Sequence, residues 1–366
     1  MNSSRIGTFE AVTLILSFVV AHTVLALPKA LVDSTRSSTL LNIVYVEVIA
    51  LIFVYFVCFI LKKFPGMDIL DISNYLGGKI LKNIIGYTFI LFFVISACIF
   101  LRNFAECLEI VYYPSTDIIF IVLFFIISIP ITANLEFNAS LRANIIIIPL
   151  VIISVAFLFF ANIKYFTPQR IFPLFGNGLH DTFIYGLTNI YSFSGIALIY
   201  FLPPILKKPE NLTKISIIGI IISAIYLMIV IAIILFMFPV FVNLDEVLPL
   251  YTIATYVEFG TFFQRIEAVL LLIWLIAFAC YLSIIANFSF FIFKKITNIK
   301  HVKPIIYPFA IAALGISMLP SNYAVSKFYE TRIYPYVMIF IVFILSSIIL
   351  TTAYFKKKKE RKNFNE

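Results

Sequence analysis

The sequence predicts an all-α integral membrane protein of ten transmembrane helices, arranged as two inverted five-helix repeats (about 8–162 and 182–355) with helices 1 and 6 broken. Three observations carry this. The chain is 62% hydrophobic and only 12% charged, with a mean hydropathy of +1.07. That is too little charge to clothe a soluble domain of 366 residues. Its apolar residues gather into ten runs of about 20, the length that a hydrocarbon core of about 30 Å requires. Its basic residues alternate in density between successive connections.

In chain order the runs are 8–28, 39–61, 84–108, 117–134, 143–162, 182–204, 214–242, 263–293, 303–319 and 334–355. The first has no basic segment followed by a small-residue cleavage site, so it reads as a retained helix and not as a signal peptide. An even count places both termini on one side. With this count, nineteen Lys and Arg fall on the terminal side, and six (Lys29, Arg36, Lys164, Arg170, Lys327 and Arg332) fall opposite. The bias predicts cytoplasmic termini.

The first run carries Ala21, His22 and Thr23 late in its length and ends at Pro28. The sixth has Ser192, Phe193, Ser194 and Gly195 at its centre, where small hydroxyls beside a glycine allow a helix to unwind. Lipid offers no hydrogen bonds, so unwound backbone persists only under cover of protein or a water-filled cavity. In transporter-like folds that cover is usually a ligand site. A small-residue packing face accounts for the same residues equally well. Because five is odd, the two interrupted helices would run in opposite directions and frame a site at mid-membrane. This inference rests on span count and the interruptions, since no residue-level repeat is visible between the halves.

Ionisable groups within spans are costly and are functional candidates by default. Glu47 lies roughly 12 Å into the second span at 1.5 Å per residue. The alternative is a neutral carboxyl bonded to a neighbouring helix. Arg102 and Glu106, four apart near the end of the third span, share a helix face as an ion pair. Arg265 and Glu267 open the eighth span; two apart on a helix, they should not meet. Tyr281 and Asn287 lie deeper on that span, and Tyr281 can present a hydroxyl to a cavity.

Three connections are longer. Residues 62–83 contain Pro65-Gly66 and read as an interfacial helix on the cytoplasmic face. Residues 164–181, with Thr167-Pro168, Phe172-Pro173 and Gly176-Asn177-Gly178, read as a turn-rich external lid. Residues 242–262 hold Asp245, Glu246 and Glu258 without a basic residue, and read as a short external helix. The net charge of +9 is distributed as membrane-orienting clusters and calls for no nucleic acid. Cys58, Cys98, Cys107 and Cys280 lie in apolar runs without CxxC spacing, and His22, His180 and His301 are far apart, so no disulfide framework, metal site or cofactor is indicated. No phosphate-binding loop, nucleophile elbow or zinc-protease motif occurs, and nothing argues for an enzyme.

Several short stretches resemble the spore germination permeases, the B subunits of nutrient germinant receptors, within the amino acid–polyamine–organocation transporter superfamily. They are Ile171–Gly178 (IFPLFGNG), Phe262–Glu267 (FFQRIE) with Trp274, Leu101–Glu106 (LRNFAE) and Leu202-Pro203-Pro204. The resemblance spans roughly 5–355. It implies the LeuT-like fold, a ligand pocket between spans one, three, six and eight, and assembly with a membrane-bound A subunit and a lipoprotein C subunit in the inner membrane of the spore. The ligand it implies is an amino acid, sugar or nucleoside whose binding triggers germination. On this view Ala21–Thr23 and Ser192–Gly195 hold the ligand's polar groups, and Phe100 and Tyr281 close around it. Two positions depart from the superfamily: Ala21-His22-Thr23 replaces the usual glycines of the first break, and Ile196 stands where many relatives have an acid. A proton- or sodium-coupled transporter of amino acids or amines, with Glu47 as the protonatable group, is the second expectation. A membrane scaffold with a vestigial pocket is the third.

Overall fold

The structure is a computed structural model that describes residues 5–23, 27–134, 137–239, 248–257, 265–299 and 301–363. Every regular element among them is helical. Six stretches are long and apolar enough to cross a membrane: Leu27–Leu61, Ile69–Tyr112, Ala139–Ala161, Pro209–Met237, Ile266–Thr297 and Tyr323–Arg361. Three shorter apolar stretches, Thr8–Thr23, Ile118–Asn134 and Lys303–Ser317, accompany them. Large apolar side chains such as Ile52, Phe120, Phe124, Phe160 and Ile311 are exposed, as suits a lipid-facing perimeter.

Helix α1 (Thr8–Thr23) is buried from Ala11 to Thr23, the signature of a helix that is apolar all round and packed in the centre. It packs against α9 (Leu212–Met237), α7 (Phe137–Ala161) and α11 (Ile266–Thr297). Residues 24–26 lie outside the described set, and α2 (Leu27–Thr35) follows them. Helix α3 (Thr39–Leu61) coincides with the expected second span. At the other end of α1, Ile6 forms a parallel bridge with Leu206: Ile6 N donates to Ile205 O at 2.8 Å and Lys207 N donates to Ile6 O at 2.8 Å.

Helix α4 (Ile69–Tyr112) extends well before the expected start of the third span. The backbone leaves helical geometry at Gly77 and Gly78, and Gly78 has φ 69°, a conformation that glycine adopts without steric cost. The turn thus separates a short N-terminal segment from the long one, where the sequence predicted an interfacial helix. Asp68 starts it with a capping box, its Oδ1 accepting from Leu70 N and Asp71 N at 3.0 Å each. Lys295 of α11 closes this corner, with Nζ 2.6 Å from Asp68 Oδ2 and 2.5 Å from Asp71 Oδ2. Burial pushes the Asp68 carboxyl up, against the pull of Lys295.

The fourth run is split into α5 (Ile118–Ile126) and α6 (Ser128–Asn134). The sixth run contains no extended, unwound backbone. Its interruption is a tightening: π-helical over His180–Ile184, 3₁₀-helical over Tyr185–Phe193, then a turn at Ser194-Gly195 with both residues in right-handed geometry, and a short α8 (Ile196–Ile199). Asn42 of α3 compensates the altered backbone pairing by donating to Thr182 O at 2.8 Å and Gly186 O at 3.0 Å. The lid over 164–181 is turn-rich as expected, and Arg170 caps the end of α9 at Phe236 O and Met237 O. A short α10 (Pro249–Thr255) lies where an external helix was expected, while Asp245, Glu246 and Glu258 fall outside the described residues.

After α12 (Lys303–Ser317), the last helical stretch begins at Tyr323, not at 334. It consists of α13 (Tyr323–Phe328), α14 (Tyr334–Met338) and α15 (Ser346–Asn363), joined by π-helical segments over Tyr329–Ile333 and Ile339–Leu345. The charges of 327–332 made this stretch look like a loop; in the fold Glu330 is turned inward and buried.

Candidate functional site

Two polar compartments meet at the broken sixth segment. The inner one is buried. His22, in the last turn of α1, sets its ring edge-on to Phe100 of α4 with centroids 3.7 Å apart, and lies 5.5 Å from Tyr334 of α14. Phe100 reaches Tyr334 at 5.0 Å and Tyr281 of α11 at 6.1 Å. The His22 Nδ1 and Nε2, Tyr281 and Tyr334 hydroxyls and Ser194 Oγ are all buried without a hydrogen-bond partner in the protein. Tyr334 points its hydroxyl towards Ser194 and Ser96 without reaching hydrogen-bonding geometry with either. At the edge of this cluster the buried carboxyl of Glu330 accepts a hydrogen bond from Asn103 Nδ2 of α4. A buried polar atom with no partner costs about 1–3 kcal/mol. Five such atoms lie around one group of packed rings.

The outer compartment is a cleft of about 190 Å³ between α2, the 3₁₀ segment and the start of the last helical stretch. Asp33 and Ser34 line one wall, Asn189 and Tyr191 the floor, and Lys327 and Arg332 the opposite wall. Tyr191 belongs to both compartments, because its ring packs edge-on against Tyr334 at 6.2 Å.

Of the residues expected from sequence, His22, Phe100 and Tyr281 come together, with Ser194 beside Tyr334. Ala21 is buried in α1 without a polar role. Thr23 is engaged elsewhere, its Oγ1 2.8 Å from the Tyr226 hydroxyl of α9. Ser192 Oγ donates to Asn189 O at 2.8 Å, and Phe193 is fully buried. Gly195 is a close-approach point: a Cβ there would lie 2.4 Å from Ile15 O of α1. Glu47 is apart from the cluster, half-buried on the face of α3 that also carries exposed Val44 and Val48. Arg102 and Glu106 form the expected pair at 2.6 Å, but inside the bundle, with both side chains under 10% exposed. Arg265 and Glu267 do meet, at 3.2 Å, contrary to expectation. Arg265 caps α11 with φ −129° and ψ 53°, so helical spacing does not apply to it. Phe262–Gln264 of the same motif lie outside the described residues. Sequence reasoning missed Glu330, Tyr334, Tyr191 and Asn42. An acidic residue between two bases just before an apolar run was the available signal for Glu330.

The comparisons with known proteins give this site a family. A family model described as spore germination protein matches residues 5–326. The chain belongs to the spore germination protein family. It is 25% identical over 278 residues to spore germination protein YndE of Bacillus subtilis (strain 168), covering 75% of this chain and 76% of that one. It is 22% identical over 281 residues to spore germination protein B2 of the same organism, covering 76% of each. Among solved structures, it resembles a manganese transporter of Eremococcus coleocola, a histidine-to-alanine mutant, with a TM-score of 0.55 at 13% identity, covering 94% of this chain and 77% of that one. At that identity the likeness concerns the fold alone. Among the described residues no cluster of His, Cys, Asp and Glu is arranged to hold a metal ion.

Proposed function

We propose that this chain is a membrane subunit of a spore nutrient-germinant receptor. It would bind a small nutrient (amino acid, sugar or nucleoside) at mid-membrane and trigger germination through receptor A and C subunits in the inner spore membrane. The observation that carries the reading is the inner cluster, whose unpartnered His22, Tyr281, Tyr334 and Ser194 atoms gather around Phe100 beside the tightened sixth segment. Such atoms are stabilised by any ligand that supplies their missing hydrogen bonds. The rings are buried, so a ligand reaches them only when Tyr191 and Tyr334 part. A ligand that binds the parted arrangement better shifts the equilibrium towards it, and partner subunits respond to that shift.

The full architecture belongs to this reading: ten spans as two inverted repeats of the LeuT-like kind (about 8–162 and 182–355), with both termini cytoplasmic. The six long and three short apolar stretches, with the 3₁₀ segment, supply the helices for it. The fold likeness to a transporter favours one other reading, a proton- or sodium-coupled carrier of amino acids or amines.

Germination of spores lacking this chain, scored against single nutrients with complementation, tests the proposal. Loss of response to one nutrient class, restored only with the partner subunits present, is the expected result. Normal germination to every nutrient, together with uptake by proteoliposomes holding this chain alone, would replace it with the carrier reading.

A further inference from the structure

We infer that the outer cleft is itself a binding site, and that the ligand class it selects is a free, zwitterionic amino acid. The inference deepens the receptor reading and rests on it for its biological role. The argument begins with which groups in the cleft are already engaged. Asn189 Nδ2 donates to Asn42 Oδ1 at 2.7 Å and to Ser34 Oγ at 3.0 Å. Ser34 Oγ donates to Leu31 O at 2.8 Å, and Thr331 and Thr188 hydroxyls donate to Lys327 O and Tyr185 O. These four neutral side chains are therefore already engaged within the protein.

The charged groups are in the opposite condition. Asp33 stands on the α2 wall; Lys327 and Arg332 stand on the facing wall. None of the three has a salt-bridge partner within 4.0 Å among the described residues. Tyr191 packs at the floor with its ring on Tyr334. An acid and two bases lining one cleft, with Asp33 and Arg332 exposed and Lys327 half-buried, match a molecule with an ammonium at one end and a carboxylate at the other. The cleft volume of about 190 Å³ accommodates a small amino acid.

The position of the cleft gives binding there a consequence. Lys327 acts electrostatically on buried Glu330, and Tyr191 packs on Tyr334 of the inner cluster. A ligand carboxylate drawn to Lys327 competes with Glu330 for that charge, and a ligand resting on Tyr191 presses on the ring that covers the inner cluster. The outer site is thus placed to load the inner one.

The test uses the full-length protein in lipid nanodiscs, titrated with L-alanine and L-valine, valinamide, N-acetylvaline and glucose. The expected result is binding of at least one free amino acid, weakened by about tenfold or more when either charged end is blocked, and no glucose binding. In the Lys327→Gln, Arg332→Gln double variant, valine should fall to the level of valinamide while valinamide is unchanged. In Asp33→Asn, valine should fall to the level of N-acetylvaline. Equal affinity for blocked and free forms in the unaltered protein, absence of amino acid binding, or binding of glucose overturns the inference without recourse to any variant. Spores separate it from the receptor reading. If deletion abolishes a nutrient response and the triple charge variant restores it in full, the cleft site falls and the receptor stands. If deletion leaves every response intact, the receptor reading falls whatever the nanodiscs show.

Discussion

Two polar regions of this molecule differ in composition and in what their groups do. At the α4 corner, Asp68, Asp71 and Lys295 satisfy one another and the backbone: two carboxylates, one ammonium and two helix-terminal N–H groups, all bonded. In the inner cluster, His22, Tyr281, Tyr334 and Ser194 are more deeply buried than Asp71 and Lys295, yet their polar atoms have no partners in the protein. The first arrangement fixes a corner. The second stores unmade hydrogen bonds where a ligand can complete them. Burial of polar groups does not by itself mark a site; what sets this cluster apart from scattered unsatisfied atoms such as those of Asn144, Ser216 and Trp274 is that several gather around the same rings.

Substitutions sharpen or break this contrast. The largest effect is expected at the corner, where Asp68→Ala strips the cap and leaves Lys295 under-compensated, costing about 3–5 kcal/mol in thermal or denaturant unfolding in nanodiscs. A cost near zero would show that the corner is not what holds α4 to α11. Gly195→Ala comes next, at about 1–3 kcal/mol, because its Cβ meets the backbone of Ile15 and not a flexible side chain. Gly195→Leu should then abolish the nutrient response through packing, so an unchanged dose-response with that variant would remove the sixth segment from the site.

Tyr281→Phe is expected to leave stability within about 1 kcal/mol, since it deletes a hydroxyl with no partner, while abolishing the nutrient response. If it destabilises strongly and signals normally, the two regions are of the same kind and the contrast fails. The smallest effect is expected at Glu47→Gln, outside both regions, with stability and response unchanged. Lost germination at normal protein level would move Glu47 into the mechanism and favour the carrier reading.

How much of this was legible in sequence varies by feature. Hydropathy alone placed Thr39–Leu61, because a long apolar run has few alternatives. The meeting of His22, Phe100 and Tyr281 was legible only through the family resemblance, which implies a pocket between spans one, three, six and eight. Glu330 and Tyr334 were hidden because Lys327, Glu330 and Arg332 lower the local hydropathy below that of a span. Only three-dimensional packing shows that one of those charges turns inward. Asn42 was invisible for another reason: a single asparagine in an apolar helix gives no hint that it serves carbonyls 140 and 144 positions away. The Arg265–Glu267 contact escaped because the spacing rule assumes a helix that has already begun.

The stitch between Ile6 and Leu206 sets where motion can occur. It joins the approach to α1 to the exit from the sixth segment by two backbone hydrogen bonds of 2.8 Å. Gly195 against Ile15 holds the same two elements together further along. A pair of rods fastened at one end behaves as tongs: the jaws travel furthest from the rivet. His22 and Tyr191 lie on the jaw side, so small angular play at the fastened end becomes the widest separation where the two compartments adjoin.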